Sequence, residues 1–251
     1  MNGYAVALGL STALVAGLVG SLALMKRMTL AGDVVSHLAL PGLALAFLLK
    51  IHPLLGAAAT LAVGILLIDR LERRSGLATE SVIGVVFVAA LAIGTLLTPR
   101  EDLIEALFGG WAETTREGLV TGLAGCLVVA GLILTLRDRL MLIIFSPDLA
   151  KSIPINVDRV NRAYLCAFGL TILLGLQVLG ALLVGALIIV PAAVGRRLAG
   201  TFNGFLVASA ASSVISAGVG FLVAARWHLA PGPTIVAVAS LIFGASLLGR
   251  R

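Results

Sequence analysis

Nine apolar runs follow one another along the chain, at 4–25, 34–51, 54–68, 81–97, 119–136, 163–178, 181–194, 205–225 and 235–248, with most of the charge confined to the stretches between them. About twenty apolar residues in a helix cross a hydrocarbon core of about 30 Å, so the chain has room for many crossings. The runs are apolar on all faces, as lipid-embedded helices are. Charged residues make up 12% of the 251 and hydrophobic ones 60%, whereas soluble domains carry about 25% charge. A disordered chain, a collagen-like fibre and a soluble enzyme are excluded. The expectation is an all-α, polytopic transmembrane bundle of 8–9 spans, forming one domain over 1–251. The first run exceeds a signal-peptide core and no basic residue precedes it, so it reads as a span.

Charge placement orients the bundle. With the N-terminus outside, the C-terminus inside and nine spans, fourteen Lys and Arg fall inside and only Lys50, Arg100, Arg116 and Arg226 outside. A single crossing over 164–195 would make the split eleven to seven. The positive-inside rule therefore favours a break near 177–180, with eight full spans and one re-entrant piece as the alternative. The basic excess of +6 is thus explained by topology and gives no reason to expect nucleic acid. On this arrangement 99–118 lies outside with five acids, as either a cation-gathering vestibule or a solvated loop. Cys126 and Cys166 sit inside apolar runs and read as small buried side chains, without any CxxC pairing.

The stretch Asp33-Val34-Val35-Ser36-His37 sets a carboxylate and an imidazole one helical turn apart. Ionisable groups in a bilayer are expensive and face a cavity or a partner. Such an O/N pair suits a borderline divalent ion, or it is an intrahelical pair satisfied by water. Leu40-Pro41-Gly42 interrupts that helix just after His37, and Val190-Pro191-Ala192 does the same late in the seventh run. Glu80 opens the fourth run, as a gate, a group supporting the ligands, or a carboxylate favoured by the helix dipole. Ser146-Pro147-Asp148 is a helix start, and Pro154 stops it, leaving a short helix over 147–153. It is either a docking lever for a soluble partner or an amphipathic interface helix. No Walker A loop, HExxH or GxSxG occurs, so the chain has no catalytic constellation and is not an enzyme.

The segment from Gly32 to Gly42 resembles the GD-x-x-SH-x-x-LPG motif of permease subunits of bacterial zinc/manganese/iron ABC importers, the ZnuB/MntB-like family. Matches at 83–87, 107–109, 145–155, 176–193 and 231–236 follow in the same order. The family's coupling segment commonly reads F-D-P-E-x-A-x-x-x-G; here Ser146 stands for the Asp and Pro154 for the Gly. The resemblance implies a homodimeric permease in the bacterial inner membrane, with a pore on the two-fold axis. It implies two copies of a cytoplasmic ABC ATPase and an extracytoplasmic metal-binding protein as partners. The cargo would be a zinc, manganese or iron ion, and no cofactor would be bound permanently. Asp33 and His37 would be pore metal ligands, two pairs meeting across the dimer. Ser146, Pro147, Asp148, Leu149, Lys151 and Ile153 would contact the ATPase. A siderophore or cobalamin permease and an ATP-independent transporter remain the alternatives.

Overall fold

The computed structural model describes residues 2–28, 31–97, 114–152 and 154–248. Among them are eleven α-helices, one 3-10 turn and no strand. The helices are α1 (Gly3–Met25), α2 (Ala31–Ser36), α3 (Leu40–Leu49), α4 (Pro53–Ser75), α5 (Thr79–Leu97) and α6 (Arg116–Phe145). After them come α7 (Pro147–Ser152), α8 (Val157–Leu179), α9 (Ala181–Leu198), α10 (Phe202–Trp227) and α11 (Pro231–Leu248). Seven described stretches, with Gly32–Leu49 taken as one, are long and apolar enough to cross a membrane. The segment 98–113, which holds most of the acidic stretch expected outside, lies outside the described residues, as does Ile153.

Polar residues in the short connections start the helices by satisfying otherwise orphaned N–H groups. Asn2 Oδ1 accepts from Ala5 N–H at 3.0 Å, Thr115 Oγ1 from Gly118 at 3.1 Å, Asn156 Oδ1 from Arg159 at 2.9 Å and Thr201 Oγ1 from Gly204 at 3.1 Å. His52, one of the two histidines that flank spans, caps α4 through Nδ1. The break expected near 177–180 is present. Gly180, with φ of 75°, closes α8 and opens α9, a conformation that favours a residue without Cβ.

Helix α1 forms the axis of the bundle, packed by α6, α8, α9 and α10. Along α8, Tyr164, Phe168, Ile172 and Leu176 are fully buried. The Tyr164 hydroxyl donates to the Val19 carbonyl at 3.2 Å, which satisfies a polar tip inside the core. Cys126 is buried beside Thr12. Cys166 departs from expectation: it lies on an exposed face of α8, where lipid covers an apolar surface as well as protein does.

Two expectations about proline need correction. The run 34–51 is broken at His37–Ala39, upstream of Leu40-Pro41-Gly42, by a 3-10 turn between α2 and α3. Leu40 N–H bonds to the His37 carbonyl. Pro41 has no N–H to offer that carbonyl in the α pattern, and its fixed φ suits the first turn of a restarted helix. Gly42 is a packing position: a Cβ there would overlap the Gly56 carbonyl and the Thr60 hydroxyl of α4. Pro191, by contrast, sits inside an unbroken α9.

Candidate metal-ion site

The 3-10 turn places His37 where α2, α4, α5 and α9 converge. Asp33 Oδ1 and His37 Nε2 stand 4.0 Å apart, with the Asp33 side chain 51% exposed and that of His37 only 10%. The expected pair is therefore brought together, one member at an open surface and the other in the protein. Ser36 Oγ donates to the Asp33 carbonyl at 2.6 Å, holding the end of α2. His37 Nδ1 is buried and has no hydrogen-bond partner among the described residues. A neutral imidazole usually fixes its tautomer by bonding the second nitrogen, so an orphan nitrogen marks an incomplete site.

Two further residues shape the pair, and sequence reasoning missed both. The Phe87 ring of α5 lies 5.5 Å from the His37 ring at a tilt of 54°, covering one face of the imidazole. Gly185 of α9 lies against α2 so closely that a Cβ would strike the Asp33 N and Cα atoms. The two backbones touch at the carboxylate-bearing residue because neither Gly32 nor Gly185 carries a side chain. The 83–87 and 176–193 motifs contain these residues, but apolar periodicity does not separate a contact position from its neighbours.

Among the described residues no group of three or more His, Cys, Asp or Glu could hold a metal ion. Asp33 and His37 are two donors, short of the four to six that transition metals take. Glu80 does not join them: it is exposed in the first turn of α5, two turns from Phe87. Its neighbour Thr79 donates to Glu72 Oε1 at 2.5 Å.

The other expected contact segment lies beyond α6. The α7 helix covers 147–152, with Pro147 as its first residue. The Ser146 carbonyl accepts from Ala150 N–H at 2.9 Å, the first bond of that helix. Ala150 is buried against the rest of the chain while Asp148 and Leu149 are exposed. Lys151 is in the helix, and Pro154 follows in a turn.

A bundle of apolar helices long enough to cross a membrane defines a multi-pass membrane protein, and an ionisable pair at a break in such a helix is the kind of feature that marks an ion or substrate path. The chain belongs to the ABC 3 transport family, whose sequence profile matches residues 3–250. It is a permease subunit of the bacterial cell membrane, not an enzyme, and ATP hydrolysis belongs to a separate chain. It is 29% identical over 234 residues to the manganese transport system membrane protein MntB of Synechocystis, covering 90% of this chain and 75% of that one. It is 30% identical over 252 residues to the chelated iron transport system membrane protein YfeD of Yersinia pestis, covering 97% and 84%. The solved structure of PsaBC from Streptococcus pneumoniae in complex with Fab shares the fold, with a TM-score of 0.85 and 24% identity over 98% of this chain and 92% of that one.

Proposed function

We propose that this permease carries a divalent transition-metal ion, zinc, manganese or iron, into the cytoplasm. The observation that carries the reading is the Asp33–His37 pair on a broken helix, with Nδ1 buried and unpartnered. The names of the manganese and iron relatives point the same way. The ion is cargo, bound in passing by an oxygen and a nitrogen donor that borderline divalent ions accept. Two donors per chain call for a second copy of the chain: a two-fold axis beside the exposed Asp33 would bring four donors together. Glu80, in the first turn of α5, is the candidate gate, or a group supporting the ligands, on the path away from that site. The topology that fits the charge distribution has the N-terminus outside, the C-terminus inside and eight or nine spans.

On this reading an extracytoplasmic metal-binding protein delivers the ion and a cytoplasmic ABC ATPase powers the step. The ATPase docks on the segment 147–153, where the exposed Leu149 anchors a short rigid helix. A hydrophobic anchor at the centre of an interface matters more than charges at its rim. Leu149→Asp should therefore abolish ATPase co-purification or uncouple the ATPase, while Lys151→Ala should have only a mild effect.

The direct test is uptake by the complete complex in proteoliposomes, with Zn²⁺, Mn²⁺ and Fe²⁺ in competition. ATP-dependent accumulation of one of the three is the expected result. Uptake of a chelate but of none of the free ions would overturn the reading.

A further inference from the structure

A cavity of about 630 Å³ opens where α1, α6 and α9 end and α5 and α8 begin. Three cations line it: Lys26 and Arg27 just beyond α1, and Arg196 in the last turn of α9. Among the described residues, no carboxylate lies within 4.0 Å of any of the three.

Lys26 is the most constrained. Its Nζ donates to Asn161 Oδ1 at 2.7 Å and stands 5.1 Å above the Tyr164 ring. Burial pushes its pKa down to about 8, a fall that the charge of Glu72 only partly offsets. The groups in direct contact with this ammonium are neutral, and the one carboxylate that acts on it, Glu72, does so from beyond ion-pair distance. Beside an open cavity its charge is therefore only partly balanced.

Arg27 adds a second observation. It adopts a left-handed conformation, with φ of 58°, at a position after a helix where glycine is the usual residue. The strain of an L side chain there is tolerated while a second cation stands at the cavity rim. Apart from Thr79 and Asn161 the remaining wall is apolar, with Met25, Ile144 and Phe145 beside the charges. Lys26 directly follows the last residue of a 23-residue apolar helix, which sets it at the depth where a bilayer changes from chains to headgroups. Basic pockets between membrane helices on the cytoplasmic side hold anionic headgroups.

We propose that this cavity binds the phosphate of an anionic phospholipid, with Lys26, Arg27 and Arg196 on the phosphate and the apolar wall against the glycerol and upper chains. The combination of cations and apolar wall favours a lipid over free phosphate, which would need no apolar wall. It also favours a lipid over an acidic segment of the ATPase. The site is separate from the Asp33–His37 pair and does not depend on the ion carried.

The intact permease, purified in mild detergent and stripped of lipid, would be titrated with phosphatidylglycerol, phosphatidylcholine or inorganic phosphate. Native mass spectrometry reads lipid retention, and thermal melting confirms folding. Wild type should prefer phosphatidylglycerol to phosphatidylcholine by about tenfold or more. The Arg27→Gln/Arg196→Gln variant, altered only at exposed side chains, should lose that preference while melting normally. Lys26→Gln should lose it too. Unchanged preference in the double variant would overturn the proposal. So would protection by inorganic phosphate equal to that by lipid, which would leave a free-phosphate site. Unchanged lipid preference together with lost ATPase binding would assign the cations to the partner's carboxylates instead.

Discussion

The two prolines placed in apolar runs, Pro41 and Pro191, read alike in the sequence, yet only one accompanies a broken helix. Before Pro41 the chain leaves the α pattern for a 3-10 turn over His37–Ala39 and restarts as α3. Around Pro191 α9 continues without interruption. The difference lies in what surrounds each residue. Upstream of Pro41, Gly32 meets Gly185, and downstream Gly42 meets Gly56, so both halves are held separately and the turn between them takes up the change of direction. Near Pro191, the backbone of Ile188 lies against Gly20 of α1, so a neighbouring helix braces α9 over the turn that lacks a hydrogen bond. A membrane proline removes one bond; tertiary contacts decide whether the helix then breaks.

The largest expected effect tests whether the break exists to present a site. Asp33→Ala and His37→Ala should each reduce uptake by about 100-fold or more, because each removes a donor from a small site. Asp33→Ala should leave yield and melting temperature nearly unchanged, since Asp33 is half exposed. His37→Ala also removes a buried ring packed on Phe87 and should lower the melting temperature while leaving a folded, assembled permease. Near-normal uptake by the double variant would reduce the break to a packing feature.

Next comes the point where the broken and unbroken helices touch. Any side chain at Gly185 strikes the backbone of Asp33, so Gly185→Val should push α2 off α9. Overpacking of this kind costs about 1–3 kcal/mol, and misplacing a donor by an ångström can cost about 100-fold in function. Uptake by Gly185→Val should fall about tenfold or more, with a raised half-saturation concentration. Gly84→Ala on α5 is the control, since a Cβ there meets nothing within 4 Å, and its uptake should match wild type. Equal losses in the two would show that the family's glycines matter for some reason other than this contact.

These contrasts also mark what the sequence makes legible. The helical class, the break at Gly180 and the Asp33–His37 pairing follow from apolar runs, charge placement and spacing, all of which are local. The site of the break before Pro41 does not, because it depends on Leu40 claiming the His37 carbonyl. Phe87 is one apolar residue among many on α5, and only the fold brings it to His37. Lys26 reads as a topology-setting charge, and its burial emerges only when Asn161 and Tyr164 close over it. Glu80, conversely, stands out in the sequence by its isolation, yet the fold leaves it exposed and away from the pair.

A smaller effect is expected from Pro41→Ala. The new N–H at position 41 can donate to the His37 carbonyl, replacing the 3-10 bond from Leu40 and drawing the turn toward a continuous helix. His37 would then rotate away from Asp33 and Phe87. Uptake should drop severalfold, and hydrogen exchange across 37–41 should slow as the helix heals. Slower exchange with unchanged uptake would separate the break from ion handling.

The smallest effect is that of Pro191→Ala, and its smallness is the point. The substitution gives α9 back one backbone hydrogen bond, to the Leu187 carbonyl one turn earlier, worth about 1 kcal/mol. Pro191 is buried, so losing its ring carbons from a packed interior costs a comparable amount, about 0.8 kcal/mol per methylene. The two contributions nearly cancel, and at about 2–4 °C per kcal/mol for a chain of this length the melting temperature should move by no more than about 2 °C. Uptake should stay within about twofold of wild type, because no turn in α9 is straightened and the contact between Gly185 and Asp33 lies nearly two turns away. If Pro191→Ala reduced uptake as far as Pro41→Ala does, the unbroken helix would be part of the transport machinery in its own right. The distinction between the two prolines would then be one of geometry without consequence for function.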